Sequence, residues 1–229
     1  MNQERKNEFI EFMLESKVLT FGDFVTKSGR KTPYFLNTGR YRTATQLKRL
    51  GEFYADTIYE AFGAEVNNLF GPAYKGIPLV VTTSGQLLSR HSHEVTITFN
   101  RKEAKDHGEG GTLVGDPYDA PPEGGYGVVL VEDVTTAGTS IRETMPLIEA
   151  MPDTRVLGLV VSVDRMERGT TERSALAELA EAYEFTTASI VNLQDLLSFL
   201  RGREAEGAPV ISGDQYRRML EYFEEYGGT

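Results

Sequence analysis

Apolar positions along this chain recur with two spacings, and their alternation predicts an α/β fold. From Asn7 to Leu14, Phe9, Ile10, Met13 and Leu14 fall on one helical face. Two extended runs follow, Phe21 to Thr26 and Thr32 to Leu36, parted by the turn residues Ser28 and Gly29. Thr43 and Gln46 have capping-box spacing, so a helix should start there, bury Leu47, Leu50, Tyr54 and Ile58, and stop near Gly63. Asn68 to Phe70 reads as a strand entering the turn Gly71-Pro72. A helix over Ile77 to Leu88 and an alternating strand over Val95 to Phe99 come next. Val128 to Val131 is wholly apolar, the mark of a strand buried on both faces. Ile141 to Met151 reads as a helix with Pro146 as a local difficulty, and Val156 to Val163 as a second buried strand. Strand, helix and strand in such succession make a βαβ unit and predict a parallel sheet. Ala175 to Tyr183, Phe185 to Ile190 and Asn192 to Leu200 continue the alternation. Ser212 and Gln215 form a second capping box before a C-terminal helix carrying Tyr216, Met219, Leu220 and Phe223.

Two stretches stand outside this pattern. Arg101 to Gly111 is charged and ends in glycines, which predicts a mobile loop. Gly115 to Gly127, with Pro117, Pro121 and Pro122, reads as a solvated surface insert. Composition narrows the class further. Of 229 residues, 40% are hydrophobic and 25% charged, which excludes a disordered or collagen-like chain. Without cysteine there is no disulfide framework, thiolate nucleophile or cysteine zinc site. A formal charge of −10 argues against nucleic acid and anionic membrane surfaces as partners, and no apolar run is long enough to span a bilayer. The polar N-terminus is unlike a signal peptide, so the expectation is a cytoplasmic protein.

The chemistry concentrates in Val128 to Ser140, VVLVEDVTTAGTS. A buried strand delivers Glu132 and Asp133 to its C-terminal end, then turns through small hydroxylated residues and Gly138 into a helix. In an open parallel sheet that edge is the ligand crevice. Backbone N–H groups from Thr135 to Thr139 can cradle an anion while the two acids accept hydrogen bonds, a combination that suits a phosphorylated sugar. Neither a P-loop nor a G-x-G-x-x-G dinucleotide fingerprint is present. His91 and His93, following a helix and lacking a third ligand, read as surface groups.

VVLVEDVTTAGTS resembles the phosphoribosyl-pyrophosphate (PRPP) fingerprint of the type I phosphoribosyltransferases. Lys27-Ser28-Gly29-Arg30-Lys31 with Tyr34-Phe35, the loop FGPAYKG from Phe70 to Gly76, and NRKEAKDHGEGG from Asn100 to Gly111 narrow the resemblance to the orotate-using members, from Phe9 to about Leu200. The resemblance implies transfer of the 5-phosphoribosyl group of PRPP to orotate, giving orotidine 5′-monophosphate and pyrophosphate in pyrimidine biosynthesis. It implies one phosphoribosyltransferase domain over residues 1–229, with 1–42 a helix-and-hairpin hood, 43–229 an α/β core and 101–111 the mobile loop. Glu132 and Asp133 would hold the ribose hydroxyls, while Val134, Thr135, Thr136, Ala137, Gly138, Thr139 and Ser140 wrap the 5′-phosphate. Tyr74 and Lys75 would line the pyrophosphate site, with Ala73–Tyr74 the candidate strained or cis peptide. Arg101, Lys102, Lys105 and His107 would reach over the partner's site in a homodimer, with Lys102 and Lys105, beside Asp133, carrying the catalysis. Lys27, Phe35, Leu36, Thr136 and Arg165 would surround orotate, and Leu36 stands where an aromatic is usual. Lys27 would also contact PRPP, and Arg165 would pair with the orotate carboxylate. Mg²⁺ is implied, bound mainly through PRPP and water with no certain protein ligand. Transfer to another nucleobase, or a PRPP-sensing regulator on the same fold, are the alternative readings.

Overall fold

The computed structural model describes residues 1–26, 29–105, 111–115, 124–135, 138–205 and 208–228. Asn2 caps α1 (Gln3–Glu15), which leads into an antiparallel hairpin of β1 (Leu19–Val25) and β2 (Lys31–Leu36). Then come α2 (Ala44–Phe62), β3 (Asn68–Phe70), α3 (Gly76–His91), β4 (Thr96–Lys105), β5 (Gly111–Val114), β6 (Tyr126–Glu132) and α4 (Thr139–Glu149). The chain continues through β7 (Thr154–Asp164), α5 (Ala175–Tyr183), β8 (Thr186–Asn192), α6 (Leu193–Leu200) and α7 (Gly213–Tyr226). The central sheet has the order β5-β4-β3-β6-β7-β8, and every pairing is parallel except β4 with β5.

Because side chains alternate across a strand, the apolar run in β6 serves two cores. Val129 and Val131 pack with α1, α2, α3 and α6 on one face; Val128 and Leu130 pack with Ile141, Met145 and Ile148 of α4 and Leu176 and Leu179 of α5 on the other. This double burial is what the uninterrupted apolar run required. Both capping boxes, Thr43 with Gln46 and Ser212 with Gln215, are formed. The α4 helix continues past Pro146 to Glu149.

Three expectations need correction. Arg101 to Lys105 are not loop: they prolong β4, and Gly111 begins β5, with Lys105 registered against Gly111. The hairpin lies at the sheet's edge, where charged residues are common; residues 106–110 lie outside the described residues. Tyr126 and Gly127 belong to β6 rather than to an insert, since the Tyr126 N–H donates to the Asp153 carbonyl and both residues pair with β7; residues 116–123 lie outside the described residues. On α7 the buried groups are Met219 and Tyr222, while Leu220 is exposed, because the helix turns its tyrosine toward the hairpin. No helix among the described residues is long and apolar enough to cross a membrane.

The tightest helix contact is at Gly51 of α2, where an added Cβ would lie 2.7 Å from the Thr82 carbonyl of α3. The Thr82 hydroxyl meanwhile donates to the Leu47 carbonyl at 2.7 Å. Alanine would gain about 1 kcal/mol of helix propensity, against overpacking that costs about 1–3 kcal/mol. Gly51→Ala should therefore lower stability in urea unfolding; an equal or higher midpoint would show that the helices separate freely.

Candidate active site

The strand order reverses at β3: the chain steps outward to β4, then returns to β6 on the other side. The loops after β3 and β6 therefore face each other across a crevice at the C-terminal edge, the position where open parallel sheets bind ligands. Lys75, at the end of the first loop, lies 2.7 Å from Asp133 at the end of the second. Helix capping singles out the same place. Asn2, Thr43, Ser174, Asn192 and Ser212 cap five helices with their side chains, whereas α3 and α4, which follow these two loops, have no side-chain cap. The first N–H groups of α4 are donors an anion can use, whereas in α3 the Gly76 N–H already donates to the Pro72 carbonyl at 2.9 Å and Pro78 has none to offer. Gly138, the N-cap of α4, has φ +69, and a Cβ there would meet Leu179 at 2.9 Å, so a larger residue would be both strained and crowded.

Glu132 and Asp133 are buried, each with its own partners. Glu132 accepts from the Ser140 hydroxyl at 2.9 Å, and Asp133 Oδ2 accepts from Lys75 and from the Thr38 hydroxyl at 2.6 Å. Their backbone carbonyls are also held, that of Glu132 by the Tyr54 hydroxyl and that of Asp133 by the Ser162 amide and hydroxyl. Burial, then the neighbouring Asp133 charge, push Glu132 up to about 7. Burial works in the same direction on Asp133, but hydrogen bonds from Lys75 and Thr38 outweigh it and hold that carboxyl below its ordinary value. At neutral pH the ionised member of the pair is thus Asp133 first.

The remaining candidates are distributed around this centre. Tyr74 is exposed and its peptide bond to Ala73 is cis, as singled out from the sequence. Val134 is half-buried, and the buried Thr135 accepts the Gly138 N–H on its hydroxyl at 3.1 Å, so that one amide of the cradle is already engaged. Thr139 and Ser140 open α4. Thr136, Ala137, Lys27 and His107 lie outside the described residues, as do the side chains of Lys102 and Lys105. Arg101 lies on the extension of β4. Leu36 is half-buried against the core; Phe35 stacks on Phe24 at 5.4 Å and faces the opposite side of the hairpin from Tyr34. Arg165 follows β7, buried over the Tyr34 ring and paired with Glu167. His91 stacks on Tyr59 and contacts Asp56, and His93 contacts the Val66 carbonyl, so both have structural partners and are half-buried rather than simply surface groups.

Comparison with known proteins agrees with this geometry. Residues 37–186 match the family described as phosphoribosyl transferase domain. The orotate phosphoribosyltransferase of Clostridium beijerinckii is 53% identical over 222 residues, 97% of each chain. The chain belongs to the orotate phosphoribosyltransferase family. That of Yersinia enterocolitica is 46% identical over 97% of this chain and 98% of its own. The solved orotate phosphoribosyltransferase of Francisella tularensis superposes with a TM-score of 0.80 at 31% identity, covering 96% of this chain and 100% of its own.

For this orotate phosphoribosyltransferase family member, sequence reasoning missed Thr38, Tyr54, Ser162 and Glu167. None belongs to the fingerprint, and only the fold brings the first three to the two acids. Glu167, two residues from Arg165, was the one with a local signal. The raised Glu132 value has a measurable consequence. Folded protein keeps that proton to higher pH than the unfolded chain, so the stability it contributes is full below 4.5 and is lost as pH rises through about 7. Glu132→Gln should flatten the fall in melting temperature between pH 5 and pH 8; parallel profiles for both proteins would place the titration elsewhere.

Proposed function

We propose that the protein transfers the 5-phosphoribosyl group of PRPP to orotate, forming orotidine 5′-monophosphate and releasing pyrophosphate. The observation that carries this is the juxtaposition, at the switch point, of the α4 N-terminus, a buried acid pair and Lys75. In this reading the α4 N-terminus takes the 5′-phosphate, and Glu132 and Asp133 accept from the ribose hydroxyls. Lys75 exchanges its contact with Asp133 for the diphosphate, which offers more negative charge than one carboxylate. Arg165 pairs with the orotate carboxylate, while Phe35, Leu36, Lys27 and Thr136 surround the ring.

The ring nitrogen of orotate forms the new bond to C1 as the C1–oxygen bond breaks with its electron pair leaving on the diphosphate, and the nitrogen's proton passes to the departing diphosphate or to water. Charge builds on the departing diphosphate and the sugar becomes cation-like, so catalysis consists of alignment and charge stabilisation rather than side-chain attack. Lys75 acts from within the chain; Arg101, Lys102, Lys105 and His107 act from the β4–β5 segment of a partner in a homodimer. When bound, Mg²⁺ supplies positive charge to the diphosphate. Glu132 and Asp133 are hard oxygen donors of the kind magnesium takes one or two of beside substrate phosphates. Among the described residues no group of three His, Asp or Glu could hold a metal, so PRPP and water carry most of the coordination in this proposal. A cytoplasmic setting belongs to the same reading, because a substrate as charged as PRPP does not cross a bilayer unaided.

Loss of orotate absorbance on adding PRPP, Mg²⁺ and protein tests the activity, run beside uracil, adenine and hypoxanthine; turnover of another base without orotate overturns the assignment. Asp133→Asn should lower kcat/KM for PRPP roughly ten- to a hundredfold through loss of a charged hydrogen bond; unchanged initial rates across PRPP concentrations would remove it from the ribose. Mixing Lys105→Ala chains with Arg165→Ala chains should restore activity that neither has alone. No recovery despite demonstrated subunit exchange would confine each site to one chain.

A further inference from the structure

Behind Arg165 lies a network that the reaction as described does not use. The Arg165 guanidinium is buried and lies over the Tyr34 ring, its carbon 4.5 Å from the centroid. Its Nε donates to Glu167 Oε1 at 2.8 Å, and Nη2 lies 2.5 Å from the same oxygen without aligning for a hydrogen bond. The Tyr222 hydroxyl, from α7, donates to that oxygen at 2.7 Å, while Arg30 Nη1 donates to Oε2 at 3.3 Å. Tyr222 also meets the edge of Tyr34 at 6.0 Å, so one α7 residue touches both the ring beneath the arginine and the acid beside it. The backbone reinforces this arrangement. Arg168 N donates to the Tyr226 carbonyl, Gly228 N donates to the Met166 carbonyl, and Glu167 bridges Gly227, so the end of α7 is stitched along the segment that carries the arginine.

A buried carboxylate with donors from three elements is held in place, and it constrains what it pairs with. A guanidinium is planar, and engaging its Nε edge leaves the Nη1–Nη2 edge as the one a second carboxylate can take in a fork. Glu167 also offsets one of the two positive charges, Arg30 and Arg165, that it pairs with. We infer that Glu167 and Tyr222 are positioning residues for the base substrate: they orient Arg165 toward a substrate carboxylate, so that α7, outside the fingerprint, sets affinity for the acidic base. This rests on the assignment of Arg165 to the orotate carboxylate.

The test compares KM for orotate with KM for PRPP in Tyr222→Phe, Glu167→Gln and Arg165→Ala. Tyr222→Phe removes one hydroxyl and keeps the ring against Tyr34. It should raise KM for orotate roughly three- to tenfold, less than the full worth of a hydrogen bond to a charged group because Tyr222 acts on the substrate only through Glu167 and Arg165, with KM for PRPP and the melting temperature little changed. Glu167→Gln should raise it at least as much, and Glu167→Asp should restore part of the loss. Arg165→Ala reports on the underlying assignment. If it raises KM for orotate while Tyr222→Phe leaves it within about twofold, or shifts both KM values together, the positioning role is overturned and the substrate contact stands. If Arg165→Ala itself leaves KM for orotate unchanged, the assignment of the carboxylate site falls and this inference with it. Should Glu167→Gln fail to fold, Tyr222→Phe alone decides.

Discussion

Glu132 and Asp133 are adjacent and buried, and two neighbouring carboxylates cannot both ionise cheaply away from water. The structure resolves this by giving them different partners. Glu132 turns to Ser140 at the start of α4; Asp133 turns to Lys75 and Thr38. One acid is thereby pushed toward its neutral form and the other held charged. Around this difference the rest is arranged: β6 brings both acids to the sheet edge, α3 brings Lys75 from the facing loop, and Tyr54 and Ser162 hold the backbone carbonyls from below. Lys75 and Asp133 line, with Leu47, Leu50, Tyr54 and Leu79, a cavity of about 180 Å³.

Net charge and local charge point in opposite directions. The chain carries −10, yet its proposed substrates are anions. For such substrates attraction depends on focusing at the crevice, where Lys75 and the α4 N-terminus converge and where Asp133 already pairs with the lysine. The same economy operates at Arg165, whose charge is partly offset by Glu167, leaving one edge of the guanidinium to discriminate in favour of a carboxylate. Both cations are held by an acid of the chain; in the proposed reading one contact is exchanged and the other kept.

The N-terminal hairpin and α7 meet around Arg165, the side proposed for the base. The β1–β2 hairpin contributes Tyr34, α7 contributes Tyr222, and the segment after β7 contributes Arg165 and Glu167. The edge proposed for the phosphate, by contrast, is built by strands from the middle of the chain. In the proposed reading, affinity for the sugar phosphate and choice of the base belong to different parts of one molecule.

Sequence alone determined which segments become strands and helices, because periodicity, the capping boxes at Thr43 and Ser212, and the apolar run of β6 are local properties. It also determined that a buried strand delivers Glu132 and, just beyond it, Asp133 to the sheet edge, since that edge is encoded in consecutive residues. It misjudged Arg101 to Lys105 and Tyr126, where pairing with a neighbouring strand overrode local charge and proline content. Only the tertiary structure decided what satisfies each charge. Thr38 lies 95 residues from Asp133 and Tyr222 lies 55 residues from Glu167. Such partners are chosen by how the sheet and α7 fold back, through desolvation and hydrogen bonding that no local pattern records.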